Sequence, residues 1–199
     1  MGKFIMNLDE IIKIIGQNNS PIAFGGYDAD GFDIDCNIHN LVLFDGKDIS
    51  DEIITHESKT LKISHGTLSE TNPESLIHYQ NLEIIQDPEW ELKMFVSKIK
   101  EKKDVLFLSS SKNALVESQL SLSKAKNAFE HDDLFVSCWI KCAITSLIDS
   151  ILLQNNILPY SAQALSLIRN LKQKNTNQFV DKIIAESGIE RATSSLLSR

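Results

Sequence analysis

The spacing of apolar residues changes character near residue 105, and that change limits what this 199-residue chain can fold into. Before it, short apolar runs alternate with turn signals; after it, nearly every apolar residue falls at helical spacing. A helical stripe through Leu8, Ile11, Ile12, Ile14 and Ile15 carries Asp9 and Glu10 in its first turn and ends by Pro21. Residues 21–24 predict a strand entering Gly25 and Gly26, residues 32–38 a second strand, and residues 41–44 a third closed by Asp45-Gly46. Residues 51–56 fit a short helix and an extended segment equally well. Residues 60–64 predict a further strand, 73–79 a short helix and 82–85 an apolar segment stopping at Asp87-Pro88. An amphipathic helix follows over 90–102, with Leu92, Phe95, Val96 and Ile99 on its apolar face.

Downstream, residues 111–129 predict a helix. The next helix, capped by Asp132 or Asp133, runs to about Leu153 and is apolar on most of its circumference, which suits the centre of a bundle. Asn155, Asn156 and Pro159 end it. Shorter helices are expected over 161–171 and 176–187, with Gly188 as a stop. The fold class that follows is α+β: a mixed sheet with flanking helices over residues 1–105, then an up-and-down helical bundle over 106–199.

Composition is that of a soluble globular protein, 42% hydrophobic and 24% charged. A net charge of −7 argues against broad electrostatic binding to nucleic-acid backbones, so any nucleotide would need a local site. Cys36, Cys138 and Cys142 form neither an even set nor a metal-binding spacing; they suit a reducing cytoplasm, with Cys138 and Cys142 packed as small buried apolar groups. Asp9 and Glu10 interrupt any leader-like apolar run. The longest apolar stretch, 134–153, holds Lys141 and Asp149, each costly at a bilayer centre, so a buried helix and no membrane partner are expected.

Chemistry concentrates in residues 24–36, Phe-Gly-Gly-Tyr-Asp-Ala-Asp-Gly-Phe-Asp-Ile-Asp-Cys. Alternation along a strand sends Asp33 and Asp35 to one face, where two carboxylates need a compensating cation, and Mg²⁺ prefers such oxygen ligands. A glycine pair just upstream lets a backbone approach a phosphate. A calcium loop built around Asp28-x-Asp30-Gly31 would begin at Gly26 and end at Asn37, neither of which is a carboxylate. A polar turn explains Asp28, Asp30 and Gly31, but explains Asp33 and Asp35 poorly because Asp is depleted in strands.

Phe24-Gly25-Gly26 followed by Asp33-Ile34-Asp35 resembles the signature of the nucleotidyltransferase superfamily, over roughly residues 8–103. The resemblance implies that Asp33 and Asp35 ligate Mg²⁺ bridging the phosphates of an NTP, and that Gly25 and Gly26 contact the triphosphate through backbone N–H groups. Activity, if present, would be transfer of a nucleoside monophosphate to an acceptor hydroxyl or phosphate. Two departures stand against activity. Only six residues separate Gly26 from Asp33, and Lys62 occupies the place on Leu61-Lys62-Ile63 where the family carries a third carboxylate. Glu57, Asp45 and His65 are the candidate substitutes. The alternative is a catalytically degenerate member that binds a nucleotide or another protein.

Residues 120–171 resemble the HEPN-type bundle, also described as a nucleotidyltransferase substrate-binding domain, through Ala125-Lys126-Asn127-Ala128-Phe129, the helix from Asp133, and Leu152-Leu153 through Asn156 to Pro159. That implies a helical half that holds an acceptor or a second subunit, and homodimerisation through it. Ribonuclease members place a His shortly after an Arg, and here neither Arg169 nor Arg191 has a His after it. The bland readings are a solvated helix end for Lys98–Lys103, a surface position for Asp149 and for His65, and core packing for Trp90 and Trp139.

Overall fold

The computed structural model describes residues 12, 13, 15, 19–25, 38–56, 59–159, 164–171, 181 and 182. The architecture is α+β, and the chain divides into two compact units, Met1–Lys103 and Asp104–Arg199.

Five described strands build the N-terminal sheet: β1 (Ile22–Phe24), β2 (Ile38–Leu43), β3 (Glu52–His56), β4 (Lys59–His65) and β5 (Glu83–Gln86), in spatial order β3-β4-β2-β1-β5. The β2–β4 pair is parallel and the other three pairs are antiparallel, which makes the sheet mixed. Residues 51–56, readable either way from sequence, are extended because β4 offers them an edge to pair with. Residues 38–40 continue without a break into 41–43, so the gap expected between the second and third strands does not exist. Val42 and Leu43 alternate between faces together with Asn40 and Leu41, in one register against β4.

Both faces of this sheet are covered. Ile22, Leu41, Leu43, Leu61 and Ile63 form one buried cluster, which Ile15 of the first helical segment joins. Ala23, Val42 and Phe44 point the other way, into Leu82, Leu92 and Val96. The helices on this second face are α1 (Pro73–Tyr79) and α2 (Glu91–Glu101). Pro73 is placed in the first turn of α1, where a missing N–H costs nothing, and the Asn72 side chain accepts from Glu74 N at 3.0 Å. In α2 the cap comes from Asp87, whose carboxylate accepts from Leu92 N and Lys93 N at 3.2 and 2.8 Å. Trp90 stands between them at φ +62° and is 63% exposed, with Lys93 Nζ 4.3 Å from its ring centroid. It is a surface residue and not the core residue expected.

The second unit pairs two long helices, α3 (Lys103–Glu130) and α4 (Val136–Gln154), with α5 (Ala164–Arg169) against α4. The helix expected from residue 111 thus begins eight residues earlier, directly after Lys102. Ser111 Oγ donates to Ser150 O at 2.9 Å, Ser150 Oγ donates to Ser111 O at 2.8 Å, and Ser118 Oγ donates to Ala143 O at 2.8 Å. Seven residues forward on α3 correspond to seven back on α4, so the helices are antiparallel. Small side chains at these crossings let the backbones approach closely.

α4 ends in a Schellman motif: Asn156 adopts φ +58°, Ile157 N donates to Leu152 O, and Asn156 N donates to Leu153 O, both at 3.0 Å. The Asp133 carboxylate accepts from Phe135 N at 3.0 Å in the turn before the helix, but the N-cap position is Phe135 and no side chain caps it, so the cap expected from Asp132 or Asp133 is not formed. Burial of α4 varies along its length: residues 136–142 are exposed or half-buried, whereas residues 143–153 are buried or half-buried apart from Thr145. Ile148, Leu152, Ala164, Ile168 and Leu171 form a core, whereas Cys138 and Cys142 are exposed. The second half of the helix has the burial expected near a bundle centre, but the thiols lie in its exposed first half, which corrects the expectation of buried cysteines: apolar composition does not fix burial where no packed neighbour reaches. Among the described residues α4 is the one helix long and apolar enough to cross a membrane, with mean hydropathy 1.6. Asp149 within it is half-buried, and desolvation pushes its carboxyl up to about 6, so it is not the surface residue expected.

Candidate functional site

The glycine turn follows β1, the strand paired on both sides, with β2 and β5. Gly25 sits at φ +108°, a conformation that side chains resist, and a Cβ there would meet Asn81 O at 3.4 Å. Its N–H donates to Asn40 O at 3.1 Å, tying the turn to β2. A phosphate contact from this N–H would have to replace that bond. Gly26, Asp28, Asp30, Asp33, Asp35, Cys36 and Glu57 lie outside the described residues. What the structure does define is the strand end that borders the turn.

Parallel pairing sets Asn40 of β2 beside Lys62 of β4. Their neighbours Leu41, Leu61 and Ile63 point into the core on one face, so strand alternation turns Asn40 and Lys62 to the other. Lys62 Nζ meets Asp51 Oδ2 at 2.8 Å, with side chains 34% and 45% exposed. A half-exposed pair of this kind contributes roughly 0–1 kcal/mol, but it determines where both charges sit. Asp51, just before β3, had no assigned role from sequence. Its pairing with Lys62 depends on the β3–β4 register, which no local pattern encodes.

Chemically, this strand end presents a carboxamide, an ammonium and one carboxylate already matched to that ammonium. Such a set does not suit Mg²⁺, which takes hard oxygen ligands and is repelled by a neighbouring cation. Among the described residues no group of three or more His, Cys, Asp or Glu could hold a metal ion. A Mg²⁺ site in this protein would rest on Asp33 and Asp35.

No protein-family model matches the chain, and no curated protein does. Among solved structures, it is similar to a nucleotidyltransferase-like protein from Exiguobacterium sibiricum 255-15, with a TM-score of 0.41 and 10% identity over 91% of this chain and 72% of that one. A similarity this low carries no argument about chemistry, which has to come from the residues themselves.

Asp45 and His65, the candidate stand-ins for a third acid, form a separate site. His65 Nδ1 lies 2.9 and 3.1 Å from the Asp45 carboxylate oxygens, and Lys47 Nζ is 3.1 Å from Oδ2. Both His65 and Asp45 side chains are 6% exposed, so His65 is not the surface histidine expected. His65 pairs with Leu43, three residues beyond the Asn40–Lys62 pair, which is roughly 10 Å along the strands and away from Gly25. The pair fastens the β2 and β4 ends, reinforced by Gly46 N to Gly66 O at 3.0 Å and Gly66 N to Leu43 O at 2.8 Å.

Burial raises the Asp45 carboxyl, but hydrogen bonds from His65 and Lys47 and the His65 charge outweigh it, holding Asp45 below its ordinary 3.8. A carboxyl lowered on folding stabilises the protein above its unfolded value and loses that contribution as pH falls through the folded one. Chemical denaturation across roughly pH 5 to 3 is therefore expected to show stability falling with pH, with a shallower slope in Asp45→Asn. Equal slopes in the two proteins would mean that Asp45 gains nothing on folding.

Proposed function

We propose that this chain is a nucleotidyltransferase-type protein that binds a Mg²⁺–nucleoside triphosphate without turning it over. The Asp33–Asp35 pair would hold the metal, and the Gly25–Gly26 turn the phosphates. The observation that carries the silent reading is Lys62. Where the third carboxylate of an active site is expected, an ammonium stands in register with Asn40 and is paired to Asp51 at 2.8 Å. A fixed positive charge there opposes a second metal and provides no base for an attacking hydroxyl. The helical unit, read as HEPN-like, would carry a protein partner. Exposed thiols at Cys138 and Cys142 accord with a reducing, cytoplasmic setting.

Thermal stability titrated with Mg²⁺ and each NTP, together with pyrophosphate release, tests this. Saturating Mg²⁺–NTP should stabilise the protein by about 3 kcal/mol at a hundredfold excess over Kd. The Asp33→Asn/Asp35→Asn variant should show no such gain, and neither protein should release pyrophosphate. Metal-dependent release would make the chain an active transferase. An absent nucleotide response in both would remove the nucleotide reading altogether.

A further inference from the structure

Two of the protein's three cysteines, Cys138 and Cys142, stand four residues apart within α4, and both are exposed. Residues four apart on a helix are neighbours on one face, with Cβ atoms about 5–6 Å from each other. That separation exceeds the roughly 3.5–4.5 Å that a disulfide spans, so the helix would have to distort before these two thiols could oxidise to one another. A metal bridge has a longer reach. With a metal–thiolate bond of about 2.3 Å, two sulfurs on opposite sides of one cation stand roughly 4.6 Å apart, which a slight inward lean of both side chains provides. Structural zinc takes four ligands, and among the described residues no third His, Cys, Asp or Glu joins the pair. Two thiolates alone satisfy a soft d10 cation in linear coordination, and Cu(I) is the one that thiolate ligands select.

We propose that Cys138 and Cys142 form a two-coordinate site for Cu(I) on the first half of α4. Binding forms two S–Cu bonds and releases the two S–H protons, with no electron transferred. The resulting bis-thiolate complex carries one net negative charge. Lys141, three residues after Cys138 on the same face and exposed like both cysteines, supplies the matching positive charge. Because residues 136–142 are exposed or half-buried, an ion reaches both sulfurs directly from solvent. Cu(I) and free thiols also persist under the same reducing conditions. The site belongs to the helical unit alone and is independent of nucleotide binding.

The reduced full chain, titrated anaerobically with Cu(I) against the coloured chelator bicinchoninate, should withdraw one Cu(I) per chain. Cys138→Ser and Cys142→Ser should each weaken binding by more than about a hundredfold, whereas Cys36→Ser should leave it unchanged. Cys142→Ser/Ile140→Cys keeps the number of thiols but carries one of them about 200° around the helix from Cys138, and should bind no better than Cys142→Ser. Unchanged circular dichroism in these variants separates loss of a ligand from loss of fold. Failure of the chain to withdraw Cu(I) from the chelator overturns the site. So does equal binding by the Cys142→Ser/Ile140→Cys chain, since thiol count and not placement would then be the cause. A requirement for Cys36, or one Cu(I) per two chains, also overturns it, because the metal would then draw its ligands from elsewhere.

Discussion

Leu41→Ala is expected to remove about 2–5 kcal/mol of stability from the N-terminal unit. Leu41 is fully buried in the middle of β2, packed among Ile22, Leu43, Leu61 and Ile63. The four other members of that cluster come from three different strands, so truncation opens a cavity that no single side chain can collapse into. Domains of this kind are stable by only about 5–15 kcal/mol in total, which makes the loss a large fraction. Urea denaturation followed by circular dichroism measures it. Ile49→Ala serves as the control: Ile49 is half-exposed, and its truncation should change stability by no more than about 0.5 kcal/mol. A loss below roughly 1 kcal/mol for Leu41→Ala would contradict the position of Leu41 at the centre of the sheet core.

Ser111→Leu is expected to cost the helical unit roughly 2–4 kcal/mol, most of it from size and not from the lost hydroxyl. The Ser111 hydroxyl lies 2.9 Å from Ser150 O and 3.2 Å from Ser150 Oγ, and both side chains are buried. A leucine cannot enter that gap unless α3 and α4 separate. Ser111→Ala removes the same hydrogen bond with no added volume and should cost about 1 kcal/mol. In Ser111→Ala, Ser150 keeps its own bond to Ser111 O, so no donor is stranded there. Denaturant curves of the two variants decide the matter: equal losses would show that the hydrogen bond, and not close helix approach, is what the position requires.

Much of the local structure was legible because its causes lie within a few residues of one another. Asn72-Pro73 starts α1 through one side-chain acceptor and one fixed φ. Asn156 stops α4 because the left-handed position it occupies tolerates Asn. The apolar spacing of residues 90–102 gave α2 and its buried face through Leu92, Val96 and Ile99. Long-range pairings were illegible for the complementary reason. Lys62 finds Asp51 only through the β3–β4 register, and His65 finds Asp45 twenty residues away only because β2 and β4 end together. Asp87 looked like the end of a strand, yet its carboxylate caps the helix that follows. Trp90 shows the limit of a size-based expectation. An indole is usually worth burying, but at φ +62° ahead of α2 it is left on the surface beside Lys93.

The sequence by itself determined the division of labour along this chain: strands and short helices before residue 105, long helices after it, and a glycine turn leading toward a concentrated set of carboxylates. Those features depend on period and on turn chemistry, which act locally. Tertiary structure decided which faces are used. It joined residues 38–43 into a single strand, set Lys62 beside Asn40 and paired it with Asp51, carried Asp45 and His65 to the far strand end, and buried the second half of α4 while leaving Cys138 and Cys142 exposed in its first. The physical reason is register. Side-chain direction alternates every residue on a strand and turns by about 100° on a helix, so the partner's position, and not composition, selects which residues meet.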